Sequence, residues 1–117
     1  VETIKLINVN TDQVIADDVK GAYSFWTRLK GLMFTKRMSS QTGLHISPCT
    51  SIHTFFMNFR IDILYLNKAN EIVGVDENME TGKIGKRYLN TKSVVELPAG
   101  TIKETSTVMG HTVAFVD

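Results

Sequence analysis

Residues 61–75 read IDILYLNKANEIVGV, and this stretch decides the fold. Ile61 to Asn67 is a short run rich in β-formers, and Glu71 to Val75 is a second one. β-Branched and aromatic side chains suit a pleated surface, so both runs read as strands. The tetrad Asn67-Lys68-Ala69-Asn70 between them supplies the turn of a hairpin. Working towards the amino end, Ser51 to Asn58 and Gly43 to Ile46 have the same character. Ile4 to Val9 is another strand, followed by the turn cluster Asn10-Thr11-Asp12 and a partner strand at Val14-Ile15-Ala16. Towards the carboxyl end, Asp76 to Asn90 is polar and reads as a long surface loop. Ser93 to Leu97 is a strand ended by Pro98 and Gly100, and Val113 to Val116 is the last.

Two segments break this pattern. Ala22, Trp26, Leu29 and Met33 recur at helical spacing, and Gly31 suits a helix C-cap. They predict a short helix from about Ala22 to Lys30, with Arg28 and Lys30 placed favourably in its last turn. Thr101 with Glu104 reads as a capping box opening a second short helix. The expected fold class is α+β: a compact β-rich barrel or sandwich of short, mainly antiparallel strands with one or two short helices. With 117 residues and no linker or repeat, residues 1–117 form a single domain. A chain of this length buries enough surface to fold without a metal or disulfide.

Composition narrows the function. Net charge is +1, so no global field draws nucleic acid or an anionic membrane. Lys83, Lys86 and Arg87 therefore read as a solvated loop. No apolar run approaches the roughly 18 residues of a membrane span. Cys49 is the single cysteine, in keeping with a reducing compartment. The cytoplasm is the expected location, and export after removal of a leader stays open. Cys49, His45, His53 and His111 lack the spacing of a metal site, and neither metal nor cofactor is expected.

Four stretches in combination resemble one prokaryotic family, domain of unknown function 192 (DUF192). They are Arg28 to Phe34 (RLKGLMF), Cys49 to Asp62 (CTSIHTFFMNFRID), the hairpin strands Ile63 to Leu66 and Glu71 to Val73, and Val95 to Thr101 (VELPAGT). The resemblance runs from about Val14 to Val116. It implies a small β-rich fold with short helices and carries no activity with it. Many members have Trp-Met-Lys-Asn where this chain has Phe56-Met57-Asn58-Phe59, and Gly-Asp where it has Gly110-His111. The Cys-x-x-x-His-Thr pattern from Cys49 to Thr54 resembles a branch of the family.

Candidate chemistry gathers around Arg28, Cys49, His53, Met57 and Asp62. On one extended strand Cys49 and His53 would share a face about 13 Å apart, too far for a thiolate–imidazole pair. A buried thiol packing as a small hydrophobe is the better reading of Cys49. Asp62 shares strand parity with Leu64 and Leu66, so it points towards an apolar side and needs a partner, with Arg28 or His53 as candidates. Phe55 and Phe56 would lie on opposite faces of a strand, leaving one face for a core and the other for a core or a peptide groove. The expected function is a non-catalytic binding or accessory module for a protein, a peptide or a small molecule. A small hydrolase or transferase using Cys49 or His53 with Asp62 is one alternative, and a structural subunit of a larger assembly is another.

Overall fold

The computed structural model describes residues 3–33 and 36–117. In chain order the elements are β1 (Ile4–Asn8), β2 (Val14–Ala22), α1 (Phe25–Lys30), β3 (Thr42–Ile46), β4 (Ile61–Leu66), β5 (Ile72–Met79), β6 (Ser93–Pro98), α2 (Thr101–Glu104) and β7 (Val113–Val116). The strands form one sheet in the order β5-β4-β6-β3-β2-β1-β7, antiparallel except where β2 runs parallel to β3. The sheet curls into a half-barrel. Its two edges meet at one end, where Ile72 N donates to His111 O at 2.8 Å and Gly110 N to Ile72 O at 2.9 Å.

Curling gives the sheet an inner and an outer face, and strand alternation sorts residues between them. Leu6, Val19, Leu64, Leu66, Val95 and Leu97 pack inside, closed at one end by Ile102 of α2. Ala22, Ile46, Ile61, Ile63, Tyr65 and Val94 point outwards, where Met57 packs over them. Every residue of β4 is buried because both faces are covered. Asn8 is wholly buried on β1 and satisfied: its side-chain oxygen accepts from Asn10 N and Thr11 N, and its Nδ2 lies 3.0 Å from His111 Nδ1.

The hairpins over 4–16 and 61–75 form as their residues predict, with Asn70 at φ 61° and Asn67 Oδ1 accepting from Ala69 N and Glu71 N. Elsewhere the structure departs from expectation. β5 continues to Met79, four residues into the predicted loop, because Asp76 and Met79 still pair with β4. As β5 is an edge strand, its outer polar residues reach water. Ala22 pairs with Ile46 at the end of β2, so helix α1 starts only at Phe25. Its capping box is Ser24 with Thr27. Thr101 lies inside α2 rather than capping it; Gly100, at φ 95°, is the N-cap and offers no side chain.

The largest correction concerns Ser51 to Asn58, which is not a strand. His53 makes an isolated bridge to Ile84, and Phe56 turns the chain at φ 63°. The segment is pinned to the 80s loop instead. Thr54 N donates to Lys83 O, the Thr54 hydroxyl donates to Glu80 O at 2.7 Å and accepts from Lys83 N at 2.8 Å, and Gly85 N donates to Ile52 O. Phe55 and Phe56 are both exposed as a result. The two loops form a cover over the outer face of the sheet. Gly85 lets that cover close, because a Cβ there would stand 2.5 Å from the Tyr65 hydroxyl, which donates to Asp76 at 2.6 Å.

Candidate functional site

Between this cover, α1 and the outer face of the sheet lies a cavity of about 320 Å³. Three parts of the chain build it. Helix α1 and the turn after it bring Arg28, Leu29, Leu32 and Met33. The segment after β3 brings Cys49, Ile52, His53 and Met57. The sheet supplies the floor with Ile46 and Glu96. The walls are mainly apolar, with a few polar groups converging from different elements, as in small-molecule sites generally.

Helix α1 is an unusual wall, for none of its six residues is buried. A helix this short has little stability of its own. It is tied down by its capping box and by Arg28, whose Nη1 donates to Pro48 O at 3.0 Å and whose Nε donates to Ser24 O at 3.3 Å. Among the described residues Arg28 has no carboxylate partner. Phe34, part of the same sequence motif, lies outside the described residues.

Cys49 and His53 both line the cavity, yet no hydrogen bond joins them among the described residues. The Cys49 thiol donates to Ser51 O at 3.0 Å, and burial pushes it above the ordinary thiol range. A thiol held in its protonated form is a poor nucleophile. His53 Nδ1 accepts from Phe55 N at 3.2 Å, and the ring stacks on Phe55 at 5.0 Å. That nitrogen is therefore already engaged. His45 and His111 stand elsewhere, one beside Tyr23 and Phe115, the other on Asn8. No cluster of three metal-ligating side chains occurs among the described residues.

The cavity thus gathers Arg28, Cys49, His53 and Met57, but not Asp62. Strand parity explains the difference. Asp62 alternates with the outward-facing Ile61 and Ile63, so it sits on the inner side with Leu64 and Leu66. There its Oδ1 accepts from Asn78 N at 2.7 Å and its Oδ2 from Ile102 N at 2.9 Å. It fills the role of the side-chain cap that α2 lacks. Neither Arg28 nor His53 is its partner.

The acid in the cavity is Glu96, which is not among the residues expected from the sequence. Its register partners are Leu44 and Ile63, and its side chain leaves β6 on the outer face with Val94. The residue is 1% exposed, and its Oε1 has no hydrogen-bond partner among the described residues. Burial raises its carboxyl group to about 8, so it is largely neutral at pH 7. A Cβ at position 31 would stand 3.3 Å from that oxygen. Gly31, at φ 50°, lets α1 end close above the acid. The signal was present in the sequence: one charge, Glu96, in an otherwise apolar run, on the parity opposite Val95 and Leu97.

The DUF192 family, described as "Uncharacterized ACR", matches residues 6–115. A "UPF0127 protein" of Thermococcus sibiricus is 31% identical over an alignment that covers 83% of this chain and 65% of the relative. The chain thus spans about two thirds of the length of that curated relative. Among solved structures, a protein of unknown function from Novosphingobium aromaticivorans superposes with a TM-score of 0.82 at 15% identity, over 95% of this chain and 82% of the other. A putative transcription regulator from Sinorhizobium meliloti gives 0.79 at 21% identity, over 96% and 91%. At such identities these two likenesses speak for the fold.

Proposed function

The chain belongs to the DUF192 family, and from that premise we propose that it is a non-catalytic binding module whose small-molecule site is the cavity under α1. The observation that carries this reading is the convergence of Arg28, Cys49, His53, Met57 and Glu96, from three separate parts of the chain, on one apolar-walled space of about 320 Å³. Such a volume lies near the low end for ligand pockets, at about 300 Å³, and suits a compact molecule. We place the chain in the branch of the family marked by the pattern Cys49-x-x-x-His53-Thr54, since the last two residues of that pattern serve the site: His53 lines it, and Thr54 anchors its cover. The hydrolase or transferase alternative draws little support. Burial favours the protonated thiol, Nδ1 of the histidine already accepts a hydrogen bond, and Asp62 is on the other face of the sheet.

A titration of ¹⁵N-labelled protein with a set of small neutral and anionic aromatic compounds tests the proposal. Saturable shifts confined to Gly31, Ile46, Cys49, His53 and Met57 are expected from at least one compound. Met57→Trp, which fills the space, is expected to abolish them. A full set without a saturable response at these positions would overturn the reading.

A second reading has its own observation. Phe25, Trp26 and Leu29 are all exposed on α1, where Phe25 and Leu29 line the cavity, with Trp26 at 74%. Aromatic side chains are enriched at protein interfaces. A docking role for α1 predicts that Trp26→Ala weakens association with a protein partner and leaves small-molecule titrations unchanged. Loss of the titration shifts in that variant would count against it.

A further inference from the structure

From Glu96, and resting on the binding reading above, we infer that the cavity selects neutral ligands carrying a primary amide, or another group that presents an N–H donor beside a carbonyl acceptor. Buried polar atoms are almost always hydrogen-bonded, and an exception on a cavity floor calls for a partner. Glu96 Oε1 is such an exception. It stands in a cavity whose other lining is mainly apolar, and nothing among the described residues reaches it.

A neutral carboxyl group offers one O–H donor and one acceptor oxygen side by side. Its chemical complement is a group with one acceptor and one donor in the same arrangement. A primary amide meets this with two parallel hydrogen bonds. A ketone or ester can only accept, so it leaves the acceptor oxygen unpaired. An amine can only donate once charged, and Arg28 and Lys30 line the same cavity, which disfavours a cation. The apolar walls from Leu32, Ile46, Ile52 and Met57 then take the body of the ligand.

Charge state gives a second handle on the same group. As pH rises through about 8, Glu96 ionises and its donor is lost. The charged or titratable groups that share the cavity are Arg28 and Lys30 from α1, with Cys49 and His53 from the covering segment. Glu96→Gln removes the ionisation while keeping a donor beside an acceptor. Replacing Glu96 leaves those four groups in place, so a pH effect that disappears in Glu96→Gln belongs to Glu96.

The test compares hydrocinnamamide with benzylacetone, which has the same skeleton and a methyl group in place of the amide nitrogen. Binding is read by ¹⁵N shifts at the cavity in the full chain. The amide is expected to bind at least about tenfold more tightly, the effect of one unpaired buried polar group. Glu96→Leu is expected to bind both compounds equally. It should fold, since replacing an unsatisfied buried polar group by an apolar one is often neutral or stabilising. Glu96→Gln is expected to keep the preference and to hold its affinity for hydrocinnamamide level above pH 8, where the wild type, having lost its donor to the ligand carbonyl, binds the amide more weakly. Equal affinity of the two compounds for the wild type would overturn the inference and leave the cavity reading standing. A preference that survives in Glu96→Leu would do the same. Failure of both compounds to bind would overturn this inference, and the compound set above then decides the cavity reading separately.

Discussion

Asp62 and Glu96 are buried acids on neighbouring strands, one residue apart in register, and the fold treats them in opposite ways. Asp62 pairs with Leu97 and Glu96 with Ile63 across the β4–β6 ladder. Because side chains alternate, the first acid enters the inner face and the second the outer face. On the inner face two backbone N–H groups meet Asp62, from Asn78 and Ile102. On the outer face Glu96 keeps an oxygen without a partner among the described residues, beneath a helix that buries none of its own residues. Around Asp62 the structure is finished. Around Glu96 it leaves a polar requirement open on the floor of a cavity, and that difference separates scaffold from candidate site for these two acids; His45 Nε2, likewise buried without a partner among the described residues, stands against Phe115 away from the cavity.

The comparison breaks most visibly at Glu96, where the expected effect depends on pH. Its folded-state pKa is raised to about 8 from 4.5. Between those values the folded protein holds a proton that the unfolded chain has released, so this contribution to stability is full below 4.5 and falls as pH rises towards 8. Glu96→Gln abolishes that loss. The variant is expected to be more stable than wild type by about 4 kcal/mol at pH 8, with the advantage vanishing by about pH 4.5. An advantage of the same size at both pH values would point to packing rather than to the proton.

At Asp62 the expected effect has the opposite sign. Asp62→Ala strands one buried N–H donor in the first turn of α2 and frees a second on the exposed Asn78, and is expected to cost about 2 kcal/mol of unfolding free energy. Urea denaturation measures this directly, and a loss under about 1 kcal/mol would show that water or another group takes over the role.

A smaller effect is expected at Gly31, where α1 ends above the acid. Gly31→Ala adds a Cβ 3.3 Å from Glu96 Oε1 at a backbone φ of 50°, and about 1 kcal/mol of stability should be lost. The same change in Glu96→Leu tells the close approach from the backbone conformation, because the second contribution persists there.

Much of the fold was legible because β-branched residues and turn tetrads carry local signals. Asn67 to Asn70 specifies its hairpin through the Asn67 side chain and the left-handed Asn70. The parity of Asp62 with Leu64 and Leu66 correctly placed it on their side of the sheet. Its partners were not legible, since they are backbone groups brought up by distant segments. Ser51 to Asn58 misled for a related reason. Its apolar residues cover the sheet from outside as a loop, so Ile52 and Met57 imitate strand composition without pairing as a strand. The extent of β5 escaped notice because an edge strand tolerates polar residues. Glu96 carried its signal openly, as a lone acid in an apolar strand, but only the third dimension shows that a cavity lies against it.

The most direct measurement is a ¹³C NMR titration of the Glu96 side-chain carboxyl in the folded protein. The account predicts a midpoint near 8, falling when Gly31 and α1 are disturbed and the acid is opened to water. A midpoint near 4.5 would contradict it, for Glu96 would then be ionised at neutral pH and the cavity floor would not hold the neutral acid on which its proposed selectivity depends.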